Sequence, residues 1–155
     1  MPGLRRPVRR TRSGKYELHL SPEERELLRG LGPRMREVFD DDADPALERL
    51  FPVAYPTDDD RQTEFRLLAS GELHDSHVAA LTTLEETVDA DRLDAGALDA
   101  WMRAINEVRL VLGVRLGVTE EGHERPRGRS DPQAAGFAVY DYLTWLQGEI
   151  IEALT

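Results

Sequence analysis

The feature that most constrains this chain is the segment from Asp94 to Glu121, which reads D-A-G-A-L-D-A-W-M-R-A-I-N-E-V-R-L-V-L-G-V-R-L-G-V-T-E-E. Leu98, Trp101, Ile105, Val108, Leu112 and Leu116 recur at helical spacing, so a helix places them on one face. From Leu110 onward the segment is apolar on nearly every side, through Val111, Leu112, Val114, Leu116 and Val118. A helix that is apolar all round has to be wrapped by other elements. The expected fold is therefore mainly α: a compact multi-helix bundle around a buried central helix, with one short N-terminal strand.

Two arginines sit in that helix. Arg109 falls close to the apolar stripe and Arg115 lies on its other flank. A guanidinium in a core has to be paired, because an isolated buried charge is expensive. One reading makes both arginines structural, with buried stems and heads reaching carboxylates. The other groups Asn106, Arg109 and Glu121 into a polar site. Trp101, Asn106, Arg109, Arg115 and Glu121 are the buried polar or structural positions on either reading. Gly113 and Gly117 are expected to let another backbone approach closely.

The flanking chain supplies the rest of the bundle. Tyr16-Glu17-Leu18-His19-Leu20 alternates apolar and polar, as a strand does, and lacks an obvious partner. Ser21, Pro22 and Glu24 mark a helix start with a capping box. That helix is expected to run to about Phe39 with a break near Gly30 and Pro33. Asp40 to Asp44 resembles part of a calcium loop but lacks its glycine and distal glutamate. Short helices are expected after Asp44 and over 61–68, then a longer one over 72–88 with Leu73, Val78, Leu81, Leu84 and Val88 facing inward. Asp89 to Asp94 reads as a polar link, with Asp94 capping the central helix. Residues 120–133 read as a long loop carrying Arg125, Arg127 and Arg129. Asp131-Pro132 opens the last helix, with Phe137, Tyr140, Leu143, Leu146, Ile150, Ile151 and Leu154 inside. Tyr142 and Trp145 point elsewhere and suggest a contact surface.

Charge is distributed unevenly. Arg5, Arg6, Arg9, Arg10, Arg12 and Lys15 precede the first acid, Glu17, whereas the whole chain carries a net charge of −10. Residues 1–14, punctuated by Pro2, Gly3, Pro7 and Gly14, are expected to form a disordered basic arm able to touch phosphates or an acidic protein face. Residues 15–155 are expected to form a single helical domain. Lys15 is the only lysine, so arginine usage follows composition bias and is not by itself a nucleic-acid signal.

Several chemistries are excluded or unsupported. There is no cysteine, which rules out disulfides, thiolate metal sites and thiol redox sensing within these residues. No apolar run approaches the roughly 20 residues of a membrane span, and the start lacks a signal-peptide core, so a cytoplasmic protein is expected. No GxGxxG, phosphate-binding loop or GxSxG elbow occurs, and no cofactor is expected. His74 and His77, three apart on a helix, could serve a metal-dependent hydrolase, but surface histidines are the blander reading. No helix offers the basic, amide-bearing face that reads DNA, so only the arm and the Arg125 to Arg129 loop are suited to phosphate, and a direct DNA-binding regulator would use the arm.

The stretch W-M-R-A-I-N-E-V-R-L-V-L-G-V-R-L-G-V-T-E-E (Trp101 to Glu121) carries a resemblance. So do Y-E-L-H-L-S-P-E-E-R-E-L-L, D-P-A-L-E-R-L-F-P-V-A-Y, Glu64-Phe65-Arg66 and V-Y-D-Y-L-T-W-L-Q-G. Together they cover most of the chain after Lys15. The chain resembles an actinobacterial family of uncharacterised domains often encoded beside the ClpS protease adaptor, one branch of which comprises AosR-like oxidative-stress regulators of actinomycetes. The resemblance implies a small, mostly helical cytoplasmic protein. For that branch it implies transcriptional action through a redox-responsive sigma factor, switched by a disulfide. This chain departs there, because it has no cysteine with which to build the switch.

The expected function is thus a non-enzymatic regulatory module acting through a protein partner, such as a sigma factor or another part of the transcription machinery. The expected contact residues are Arg5, Arg6, Arg9, Arg10, Arg12, Tyr142 and Trp145. A homodimer is expected from the strand without a partner and the aromatic pair.

Overall fold

The computed structural model describes residues 6–40, 74–118, 128 and 130–155. The expected calcium-loop fragment, the short helices between Asp44 and Leu68, and the positions Arg5, Glu121, Arg125, Arg127 and Arg129 lie outside the described residues.

The chain is mainly helical, with a small antiparallel sheet at its N-terminal end. Strand β1, Val8–Arg10, is followed by β2, Tyr16–Leu18. Helix α1, Pro22–Arg29, leads into α2, Leu31–Asp40. Helix α3 covers residues 74–87. Strand β3, Arg92–Leu93, precedes the central helix α4, Ala95–Leu116, and α5, Ala134–Leu154, closes the chain.

The sheet corrects two expectations. The strand at Tyr16 is not alone, because it lies between β1 and β3 in the order β1-β2-β3. Its first partner comes from within the stretch read as a disordered arm. Val8 pairs with Leu18, Arg9 with Glu17 and Arg10 with Tyr16. Thr11 and Lys15 close the hairpin through Thr11 N to Lys15 O at 2.8 Å, with Gly14 at φ 84°. A glycine in the left-handed region is what a short hairpin loop asks for, so Gly14 is a turn residue and not a mark of disorder. Pro7 and Val8 are buried, which ties the start of the hairpin to the core. β3 is the polar link: Tyr16 pairs with Leu93 and Glu17 with Arg92.

Helix α1 starts as the sequence indicates. Ser21 accepts from Glu24 N, and Glu24 accepts in return from Ser21 N at 3.0 Å. Gly30 ends α1 and separates it from α2. Arg25 donates to Val88 O and Ala90 O at 2.7 and 2.9 Å, which satisfies carbonyls past the end of α3. Arg29 reaches Asp89 at 2.5 Å in the same turn. Arg36 forks onto Glu85 of α3, with Nη2 2.7 Å from Oε1 and Nη1 2.8 Å from Oε2. Gly32 is required beneath that fork, since a Cβ there would lie 2.7 Å from Glu85 Cδ.

The central helix is capped by Asp94, which accepts from Ala97 N at 2.7 Å. It stops at Leu116, short of Glu121. Gly117 takes φ 75°, and Val118 N donates to Gly113 O at 2.8 Å. Gly117 therefore terminates the helix and is not a packing notch. Leu98, Trp101, Ala104, Ile105, Val108 and Val111 are buried. Leu110, Leu112, Val114 and Leu116 are only half-buried, so the second half is not wrapped on all sides as expected. Helix α5 packs along α4 and also reaches β1. Phe137, Leu143, Leu146 and Ile150 are buried, whereas Ile151 and Leu154, expected inside, are exposed.

Candidate functional site

The two flanks of α4 hold different polar arrangements. On the α3 side, His77 and Glu107 meet in the core, each almost wholly buried. Surface histidines were expected at 74 and 77, and for His77 that is wrong. His77 Nδ1 is hydrogen-bonded to Glu107 Oε1. Arg103 Nε, one turn earlier on α4, donates to the same oxygen at 3.2 Å. Phe39 stacks on the His77 ring at 5.6 Å between centroids and meets His74 edge-on at 5.4 Å. Close by, Trp101 Nε1 donates to Thr87 Oγ1 at 2.7 Å, and that hydroxyl donates to Thr83 O at 2.6 Å.

Neither Glu107 nor its pairing with His77 was anticipated, yet the sequence held a signal. His77 sits in register with Leu81, Leu84 and Val88, and Glu107 with Ala104 and Val111. A polar side chain on an apolar stripe has to find a partner inside. Among the described residues no group of three or more histidine or acidic side chains is placed to hold a metal ion. The His74/His77 pair is thus split in role: one faces Glu107, the other the edge of Phe39.

On the α5 side, Arg109 is half-buried and its partners are neutral, not carboxylates. Its Nε donates to Thr144 Oγ1 at 2.9 Å and its Nη1 to Gln147 Oε1 at 2.6 Å. Gln147 Nε2 in turn donates to Asn106 Oδ1 at 3.2 Å. The Arg109 guanidinium lies 5.3 Å from the Tyr140 ring centroid. This network zips α4 to α5. Arg115 is exposed at the C-terminal end of α4.

Tyr142 and Trp145, expected as an exposed contact pair, are half-buried against the core. Their rings are 5.8 Å apart, and Tyr142 Oη donates to Glu24 Oε2 at 2.7 Å, so α1 covers part of this pair. Arg6, Arg9, Arg10 and Arg12 are exposed. Arg9 donates to Glu17 across the strand pair at 3.0 Å. That hydrogen bond, with Arg92 on the opposite strand, holds the Glu17 carboxyl below its usual range.

A groove of about 220 Å³ runs between α2, the C-terminal half of α4 and the start of α5. Apolar side chains form its walls, and among the described residues Arg34 and Arg115 are its charged lining residues. No helix among the described residues is long and apolar enough to cross a membrane.

These features define a mainly helical protein with a three-stranded sheet and a histidine–glutamate pair buried in its core. Residues 5–154 match the family described as a domain of unknown function, DUF2017, and the chain belongs to that family. It is 32% identical to the oxidative stress regulator AosR of Mycobacterium tuberculosis (strain H37Rv), over 93% of this chain and 84% of that protein. The AosR of Mycobacterium bovis is similar to the same degree. A putative oxidative stress regulator AosR from Mycobacterium leprae is 34% identical over 72% of this chain and 58% of its own length. No solved structure matches significantly.

Proposed function

We propose that this protein is a non-enzymatic regulator that acts in transcription through a protein partner, such as a sigma factor. The observation behind this reading is the similarity, over most of both chains, to proteins named as oxidative stress regulators. The site geometry is consistent with it. The buried His77–Glu107 pair, stacked on by Phe39, serves packing, while the exposed features are charged and apolar surfaces suited to contact. With no cysteine in the chain, regulation does not pass through a thiol of this protein. Its trigger is something else, or its binding is constitutive.

The test is the transcript profile of the host with the gene deleted, with and without peroxide, and with the gene restored. A defined set of stress transcripts that shifts on deletion and returns on restoration supports the role. Indistinguishable profiles overturn it.

A further inference from the structure

We infer that the groove between α2, α4 and α5 is a binding site for a small amphipathic anion, of the class of a medium-chain carboxylate. The walls are Leu31, Met35, Val38, Val108, Val111 and Val139. Its volume of about 220 Å³ exceeds the ~150 Å³ of an apolar cavity that takes up benzene. It therefore suits a chain of several methylenes and is too small for a folded segment.

Charge decides which end group fits. Acids outnumber basic residues by 30 to 20 across the chain, yet among the described residues both charged residues of this lining are arginines. Arg34 is exposed on α2 and makes no hydrogen bond or ion pair among the described residues. Arg115 faces it from α4. The neighbouring cleft shares Leu31, Arg34 and Val139 and adds Glu23 and Glu26, of which Glu26 is engaged by Arg29 at 2.5 Å. An anionic head group would thus meet the Arg34 guanidinium fork, while its tail displaces water from aliphatic walls.

One end of the groove is closed by tight packing of α5 on Leu116. Gly136, at the start of α5, lies where a Cβ would come within 3.0 Å of Leu116 Cδ2. Such a site would give a cysteine-free regulator an input of its own. That consequence rests on the proposed function, but binding does not.

The experiment is titration of the full chain with decanoate, followed by calorimetry and by amide nitrogen–proton NMR spectra. Decyltrimethylammonium, of the same tail and opposite charge, is the control. The expected result is saturable one-to-one binding of decanoate, with shifts centred on residues 31–38, 108–116 and 135–139, and weak or no binding of the cation. Arg34→Glu, at an exposed position that leaves the core intact, should weaken decanoate roughly 10-fold, the loss of one charge-assisted hydrogen bond. Absence of saturable binding, equal binding of both amphiphiles, or shifts located elsewhere would each overturn the inference. So would a response only to an acidic helical peptide, which would make the groove a protein-docking surface.

Discussion

Glu107 and Arg109 stand two residues apart on α4 and live in opposite conditions. Glu107 is nearly sealed from water and shares one oxygen between His77 and Arg103, while its Oε2 is buried without a hydrogen-bond partner. Arg109 keeps part of its surface wet and spreads its donors over Thr144 and Gln147, with Tyr140 beneath. The comparison shows how one helix can carry charge on both flanks. On the flank that packs on α3 the Glu107 carboxyl is sealed from solvent, so it must be matched by fixed partners. The flank that packs on α5 lets water complete what neutral side chains begin, so no opposite charge is needed.

The largest effect should come from the sealed flank. Glu107→Ala leaves His77 and Arg103 without their shared acceptor and opens a void, so unfolding in urea should show a loss of about 3–5 kcal/mol. A loss below about 1 kcal/mol would mean that the two flanks do not differ as argued.

Gly32→Ala comes next. The new methyl collides with the Glu85 carboxylate and displaces the Arg36 fork, an overpacking cost of about 1–3 kcal/mol by thermal or urea unfolding. Adding Glu85→Ala to Gly32→Ala should recover part of it, since the clash is removed with its carboxylate. Unchanged stability in Gly32→Ala would show that the fork can move aside freely.

Arg109→Ala should cost about 1 kcal/mol, because its partners on α5 are open enough to bond with water instead. A loss matching that of Glu107→Ala would erase the contrast between the flanks.

The smallest effect concerns the sheet. Glu17 has its carboxyl held below the usual value of 4.5 by the Arg9 hydrogen bond, so its folded pKa is depressed. Its contribution is therefore present above the ordinary carboxylate pKa and is lost as pH falls through the depressed folded value. Glu17→Gln should flatten that part of the stability–pH curve, lowering stability slightly at neutral pH and leaving it unchanged well below the folded pKa, read by thermal unfolding across pH. An unaltered curve would show that the Arg9–Glu17 contact carries no pH-dependent stability.

What was legible in the sequence was local. The Ser21–Glu24 capping box, the break at Gly30 and the Asp94 cap each depend on residues within one helical turn, and all three stand in the structure. The central helix was legible from its periodicity, though its end was misplaced. Gly117 was read as a packing position because spacing alone cannot show the sign of φ. The strand β1 was missed for a different reason: V-R-R carries one buried side chain and two charged ones, a weak alternation that its basic surroundings conceal. The His77–Glu107 pair was missed because 30 residues separate its members, and only the helix packing brings them together. Tyr142 and Trp145 were legible as aromatics off the main stripe, but not the cover that Glu24 provides.

The central claim is action through a protein partner, and affinity capture tests it most directly. The tagged full chain would be recovered from nuclease-treated lysate of its own host, with bound proteins identified by mass spectrometry and each hit confirmed with purified components. The account predicts a sigma factor or polymerase subunit that binds the purified chain in the absence of DNA. Recovery of no such protein, or of one lost as soon as nucleic acid is removed, would contradict it.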